Sequence, residues 1–315
     1  MVNLAKELFS LLAVFIALFL FGIYILRAGL IQTGTSKAQA LLLKATSSPL
    51  KGLIVGIFIT ALFQSSSVVT VLLVGLVAAG LIQFRQTIGV ILGANIGSCF
   101  TLELVAFKMT DLAIPLLVVG LVCLAFSKSL LYKIGCVSFG IGCIFLAMNG
   151  FESLADPLSS FPLTHQSLNG QITTILLGLP SGQLLQTIIQ SSTATIGMAM
   201  GFIEGQGLTM ESGVASCLEA NIGTCLTAYI ASIGAGKSAR LVAHAHIWLN
   251  LLGALLFYPL IAFLAHFVSL LADTASMQLA HASTIYNIVC SLLVLPFAYL
   301  FARFVERIAQ VKRFK

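Results

Sequence analysis

Gln64-Ser65-Ser66-Ser67, followed by Gly93-Ala94-Asn95-Ile96-Gly97-Ser98, decides the fold, because the chain contains this pair of motifs twice. The second copy reads Gln190-Ser191-Ser192-Thr193 and then Glu219-Ala220-Asn221-Ile222-Gly223-Thr224. Both motifs keep one offset of 126 residues (190 − 64 and 221 − 95). At the same offset Gly56 matches Gly182, Gly75 matches Gly201, Cys99 matches Cys225 and Thr101 matches Thr227. An ungapped register running from Gly56 to Thr101 marks an internal duplication. A shorter echo lies near the C-terminal end, where Asn250 and Pro259 return as Asn287 and Pro296, 37 positions on (287 − 250).

The setting of these motifs is apolar. Of 315 residues 59% are hydrophobic and 8% charged, against about 25% charged in a typical soluble domain. Apolar runs cover 8–30, 112–127, 130–150, 241–271 and 284–305, which reads as an all-α polytopic membrane protein in a lipid bilayer. Regions 51–82 and 171–206 are also apolar but carry the Gln/Ser clusters at their middles. The run from Leu8 to Leu30 is too long for a signal-peptide core and lacks a small-residue cleavage site, so a retained spanning helix is expected. The seven cysteines lie in apolar segments without CxxC spacing, which predicts reduced thiols packed between helices. No linker or charge run divides the chain.

Charge placement sets a topology. With 51–82 and 171–206 as re-entrant helical hairpins, and 86–108 and 209–231 as broken transmembrane helices, the 16 Lys and Arg divide 14 to 2 between the two sides. If both hairpins cross instead, the division falls to 12 to 4. The basic side is then cytoplasmic, with the N-terminus outside and the C-terminus inside, and the net charge of +6 serves membrane orientation, not nucleic acid. The hairpins enter from opposite sides. The expected organisation is a first repeat over 1–127, an inverted second repeat over 128–271, and a C-terminal helix and tail over 272–315. Inverted repeats with discontinuous helices point to a carrier whose site lies near the bilayer midplane.

Ser65, Ser66 and Ser67 would open the returning helix of the first hairpin, and Ser191, Ser192 and Thr193 that of the second. Ser is a favoured N-cap, and a helix N-terminus binds anions without Lys or Arg. Two such ends facing one another make an oxyanion site, with Gln64 and Gln190 bridging to cations or positioning the tips. Sodium takes oxygen ligands, and unwound segments Asn95–Ser98 and Asn221–Thr224 would supply them. Further groups expected to line or ligate are Thr70, Thr101, Thr195, Thr227 and Glu219. A single Ser/Thr/Gln cluster commonly only ties membrane helices together; recurrence with the same following motif favours a site.

These paired Gln-Ser-Ser-Ser stretches and the Gly-Ala-Asn-Ile-Gly-Ser segments resemble the type II sodium/phosphate cotransporter family, including its short bacterial members, over roughly 22–300. The stretch His246–Asn250 is similar to the family's late helix. The resemblance implies sodium-coupled symport of inorganic phosphate, with Gln64 to Ser67 and Gln190 to Thr193 forming the phosphate and sodium sites and the Asn95 and Asn221 segments lining them. It implies no cofactor beyond the transported ions. The chain departs from the pattern at Thr193, where the first copy has Ser, and at Glu219, where the first copy has Gly93.

Other readings are weaker. A carrier of sulfate or a dicarboxylate suits the same architecture. An intramembrane enzyme needs an activated nucleophile or a transition-metal set, and a channel would show rings of like residues. His244 and His246, two apart on a helix, face different ways and read as packed or hydrogen-bonded groups. Gly234-Ala235-Gly236-Lys237-Ser238 looks like the end of a phosphate-binding loop, but Ala231 stands where its first Gly is required, so it reads as a turn.

Overall fold

The computed structural model describes residues 2–31, 35–45, 48–107, 110–126, 128–159 and 191–311. Among these residues the chain is helical, with no strand. The helices are α1 (Val2–Ile31), α2 (Thr35–Ala45), α3 (Pro49–Phe63), α4 (Ser66–Ala78), α5 (Phe84–Ala106), α6 (Ala113–Leu124), α7 (Ser129–Ser159) and α8 (Ser192–Glu204). There follow α9 (Met210–Ala231), α10 (Lys237–Phe257), α11 (Ile261–Ser269), α12 (Ala275–Val294) and α13 (Ala298–Val311). Among the described residues six segments are long and apolar enough to cross a bilayer: Lys6–Leu30, Phe84–Ala106, Ser129–Leu158, Met210–Ala231, Lys237–Ser269 and Ala275–Ala309. Leu130, Leu255, Phe263 and Leu270 are 68–72% exposed, which suits lipid as the surrounding solvent.

The two longest of these segments are each interrupted at a proline. Pro259 lies in a 3-10 turn, Tyr258–Leu260, between α10 and α11, and Pro296 in another, Leu295–Phe297, between α12 and α13. A proline removes one backbone donor and crowds the preceding turn, so the α-helix tightens locally. The 37-residue echo in the sequence is thus an echo of shape.

α3 and α4 pack on one another as a helical hairpin. They have 15 and 13 residues, about 22 and 20 Å at 1.5 Å per residue, short of the roughly 30 Å hydrocarbon core. The returning arm expected of a second hairpin is α8; the entering arm, with Gln190, Pro180 and Gly182, lies outside the described residues.

α5 runs as one helix from Phe84 to Ala106 and α9 as one from Met210 to Ala231. The breaks expected within 86–108 and 209–231, and the unwound carbonyls at Asn95–Ser98 and Asn221–Thr224, are therefore corrected. The glycines of the first motif serve packing instead. A Cβ on Gly89, Gly93 or Gly97 would collide with the carbonyl oxygen of Pro49, Leu53 or Ile57 of α3. Both rows advance by four residues, so the two helices meet backbone to backbone along a seam of small residues.

The chain forms two compact units, each drawn from three stretches of sequence. The first comprises Met1–Thr33, Leu102–Cys217 and Ile261–Ala282. There α7 packs against α1, α6 and α8. Gly22 of α1 and Gly140 of α7 face one another so closely that a Cβ on either would press on the other's backbone. Phe151 of α7 gathers Phe15, Phe19 and Phe202, with ring centroids 6.0–6.4 Å from its own. The second unit comprises Gly34–Thr101, Leu218–Leu260 and Ser283–Lys315. It holds the α3–α4 hairpin and its glycine seam with α5, and packs α10 against α4 and α13.

Candidate transport site

In the second unit the first tip is a two-residue turn. α3 starts under a Ser48 cap with Pro49 in its first turn and ends at Phe63. Gln64 then takes the left-handed conformation (φ 51°, ψ 32°), which ends the helix, and is buried. Ser65 is extended and caps α4, its Oγ accepting from the Val68 amide at 3.3 Å. Ser66 is buried and Ser67 half-buried in the first turn of α4.

The second tip, in the first unit, repeats this cap. Ser191 is extended, and its Oγ accepts from the Ala194 amide at 3.3 Å. Ser65 and Val68 correspond to Ser191 and Ala194 at the 126-residue offset. Ser192 is half-buried and Thr193 buried. Gln190 lies outside the described residues.

The hydroxyls divide by what they donate. Ser65 and Ser191 accept from backbone amides, and neither hydroxyl donates to a partner among the described residues, so its proton is left for an anion. Thr70 donates to the Ser66 carbonyl at 2.8 Å, Ser98 to Asn95 at 2.7 Å, Thr195 to Ser191 at 3.3 Å and Thr224 to Asn221 at 2.9 Å. A hydroxyl whose proton is committed presents lone pairs, which suit a cation. Thr101 is buried, and its hydroxyl has no partner among the described residues. Thr227 is half-buried. Glu219 is half-buried on α9, with Oε2 buried and unbonded among the described residues.

Asn95, expected at a break, instead anchors a helix contact inside the second unit, while the Asn221 carbonyl accepts from Thr224 and Cys225 of its own helix. Asn95 donates its amide to Asn250 Oδ1 at 2.9 Å, and His246 Nε2 lies 3.2 Å from Asn95 Oδ1. The Asn250 amide reaches the His246 carbonyl at 2.9 Å and Cys225 Sγ at 3.3 Å, while the Cys225 thiol points to the Asn221 carbonyl at 3.4 Å. A second set follows the same plan. The Asn287 amide reaches the Ser283 carbonyl at 2.9 Å and Cys99 Sγ at 3.3 Å, and the Cys99 thiol points to the Asn95 carbonyl at 3.6 Å. The sets differ at the side-chain oxygen: Asn287 Oδ1 has no partner among the described residues, where Asn250 Oδ1 has Asn95.

No local sequence pattern joins Asn250, Asn287, His246, Cys99 and Cys225 into one network. The matched cysteines and the 37-residue echo were the available signals. His244, by contrast, stacks on Tyr229 with ring centroids 6.1 Å apart. The Gly234–Ser238 stretch is a turn leading into α10, with Gly234 and Gly236 at φ 84° and 86°.

The model of a family described as Na+/Pi-cotransporter matches residues 18–153 and 162–286. A Bacillus subtilis (strain 168) protein, YqeW, is 36% identical over 257 residues, which cover 82% of this chain and 84% of that protein. The putative inorganic phosphate export protein YjbB of Escherichia coli (strain K12) is 26% identical over 254 residues, covering 79% of this chain and 46% of YjbB, so the chain spans just under half of that relative. Sodium-dependent phosphate transport protein 2A of Rattus norvegicus is 45% identical over 60 residues, 19% of this chain and 9% of that protein. No solved structure matches the chain.

Proposed function

The chain belongs to the Na+/Pi-cotransporter family, whose membership makes it a membrane transporter and not an enzyme, and from that premise we propose sodium-coupled symport of inorganic phosphate by alternating access. Phosphate as the cargo is supported by the family and by the names of the E. coli and rat relatives. The observation that carries the finer reading is the repeated serine cap. Ser65 and Ser191 each cap a helix N-terminus, and neither hydroxyl donates to a partner among the described residues, which leaves its proton for an anion. In this reading the tip residues Gln64 to Ser67 and Gln190 to Thr193 bind phosphate. Thr70, Ser98, Thr195 and Thr224 present lone pairs to sodium, while Asn95, Thr101, Asn221, Thr227 and Glu219 line the path. The membrane is the cytoplasmic one, with the basic side and the C-terminus inside.

Purified protein in liposomes, with radiolabelled phosphate and an imposed sodium gradient, tests substrate and coupling together. Saturable accumulation that follows the gradient in either direction is expected. Uptake indifferent to sodium sinks the coupling, and stronger competition by sulfate or a dicarboxylate than by phosphate sinks the substrate.

A further inference from the structure

We propose that a groove between the first two-thirds of α10 and the end of α13, inside the second unit, is a binding site for an anionic phospholipid. The groove encloses about 690 Å³, within the range of about 300–1,000 Å³ typical of small-molecule sites. Its lining follows one stripe of α10: Lys237, Arg240, His244, Trp248 and Leu251. From first to last this stripe advances about 21 Å along the helix axis. The groove is cationic at the start of the segment Lys237–Ser269, where a membrane interface falls, and apolar further in.

That gradient has the polarity of a lipid, with a headgroup end and a tail end. Lys237 and Arg240 are exposed, and their side chains have no hydrogen-bond or ion-pair partner among the described residues. The carboxylate that lines the groove, Glu306, does not oppose an anion. Both its oxygens are held by Arg85, at 2.9 Å from Nε and 2.8 Å from Nη2. Trp248 is fixed edge-on against Phe304 at 5.4 Å and forms a wall at the apolar end.

Two unpaired cations above an apolar slot match a phosphodiester carrying acyl chains. Free phosphate has no use for the apolar wall. The chain's own last residues, with Lys312, Arg313 and Lys315, carry the same sign as the groove's open end.

The test is native mass spectrometry of the full chain released from vesicles of equal phosphatidylglycerol and phosphatidylcholine. Wild type is expected to retain phosphatidylglycerol selectively. Lys237→Gln with Arg240→Gln should cut that retention about thirtyfold, from the loss of two surface charges. Lys237→Arg with Arg240→Lys, which keeps both charges, should preserve it. Both pairs change exposed side chains, and gel filtration checks that each variant remains folded. Equal retention by the neutralised variant, or no selectivity in wild type, overturns the proposal. Displacement of the lipid by inorganic phosphate would make this a free-anion site. A gain in retention on deleting residues 312–315 would assign the groove to the chain's own end.

Discussion

Gln64 combines a backbone role with a side-chain role, and two substitutions separate them. Its φ of 51° costs a non-glycine residue about 1 kcal/mol, so Gln64→Gly should fold at least as well as wild type. If the side chain belongs to the site, Gln64→Gly and Gln64→Ala both lose sodium-dependent uptake at normal abundance, as does Gln190→Ala. Normal uptake by the glycine variant removes Gln64 from the site and leaves it a turn former. Asn250 and Asn287 offer a second contrast. Both amides hold a carbonyl and a thiol, but only Asn250 also accepts from another helix. Truncating Asn250 leaves the buried Asn95 amide without its acceptor, a loss of about 1–3 kcal/mol. Thermal unfolding in detergent should therefore show a larger fall in Tm for Asn250→Ala than for Asn287→Ala. Glu219 has no carboxylate counterpart in the first repeat, where Gly93 stands, so the repeated geometry does not demand it. A carboxylate buried along a transmembrane helix is costly unless a cation or proton attends it. Glu219→Gln should change the sodium or pH dependence of uptake more than it changes the amount of folded protein, and unaltered profiles would make the residue a bystander.

Among the elements, the glycines show why some of the fold was legible in the sequence and some was not. The helix starts at Ser65 and Ser191 could be read because Ser caps act within three residues, and local chemistry of that kind is written locally. The continuity of α5 could not. Gly89, Gly93 and Gly97 with Asn95 look like helix breakers by intrinsic propensity. They are tolerated because α3 lies on the glycines and because Asn95 finds Asn250, 155 positions away. A partner at that distance leaves no mark on the local pattern. Substitution separates packing glycines from incidental ones. Gly93→Ala would drive a methyl into the Leu53 carbonyl and should cost about 1–3 kcal/mol. Gly75, also inside a helix, has nothing within 4 Å of a new Cβ, so Gly75→Ala should stabilise by about 0.5–1 kcal/mol. Tm measured on the two variants should move in opposite directions; a shared direction would mean that the seam is not close-packed.

For the molecule as a whole, the 14 to 2 division of Lys and Arg predicts that position 237 faces the cytoplasm and position 273 the outside, at opposite ends of Lys237–Ser269. Single cysteines at the two positions, probed with an impermeant thiol reagent on intact cells, should label at 273 and not at 237; the reverse pattern inverts the topology. The native thiols dictate how that experiment has to be built. Cys99 and Cys225 are acceptors for the buried amides of Asn287 and Asn250. A background stripped of thiols through alanine would leave both amides short of a partner, whereas serine at 99 and 225 keeps a donor and an acceptor in place. Cys123 is half-buried and the other six thiols are buried. The unaltered protein thus carries its own attachment point for a lipid-soluble fluorophore, on α6, without any engineered cysteine.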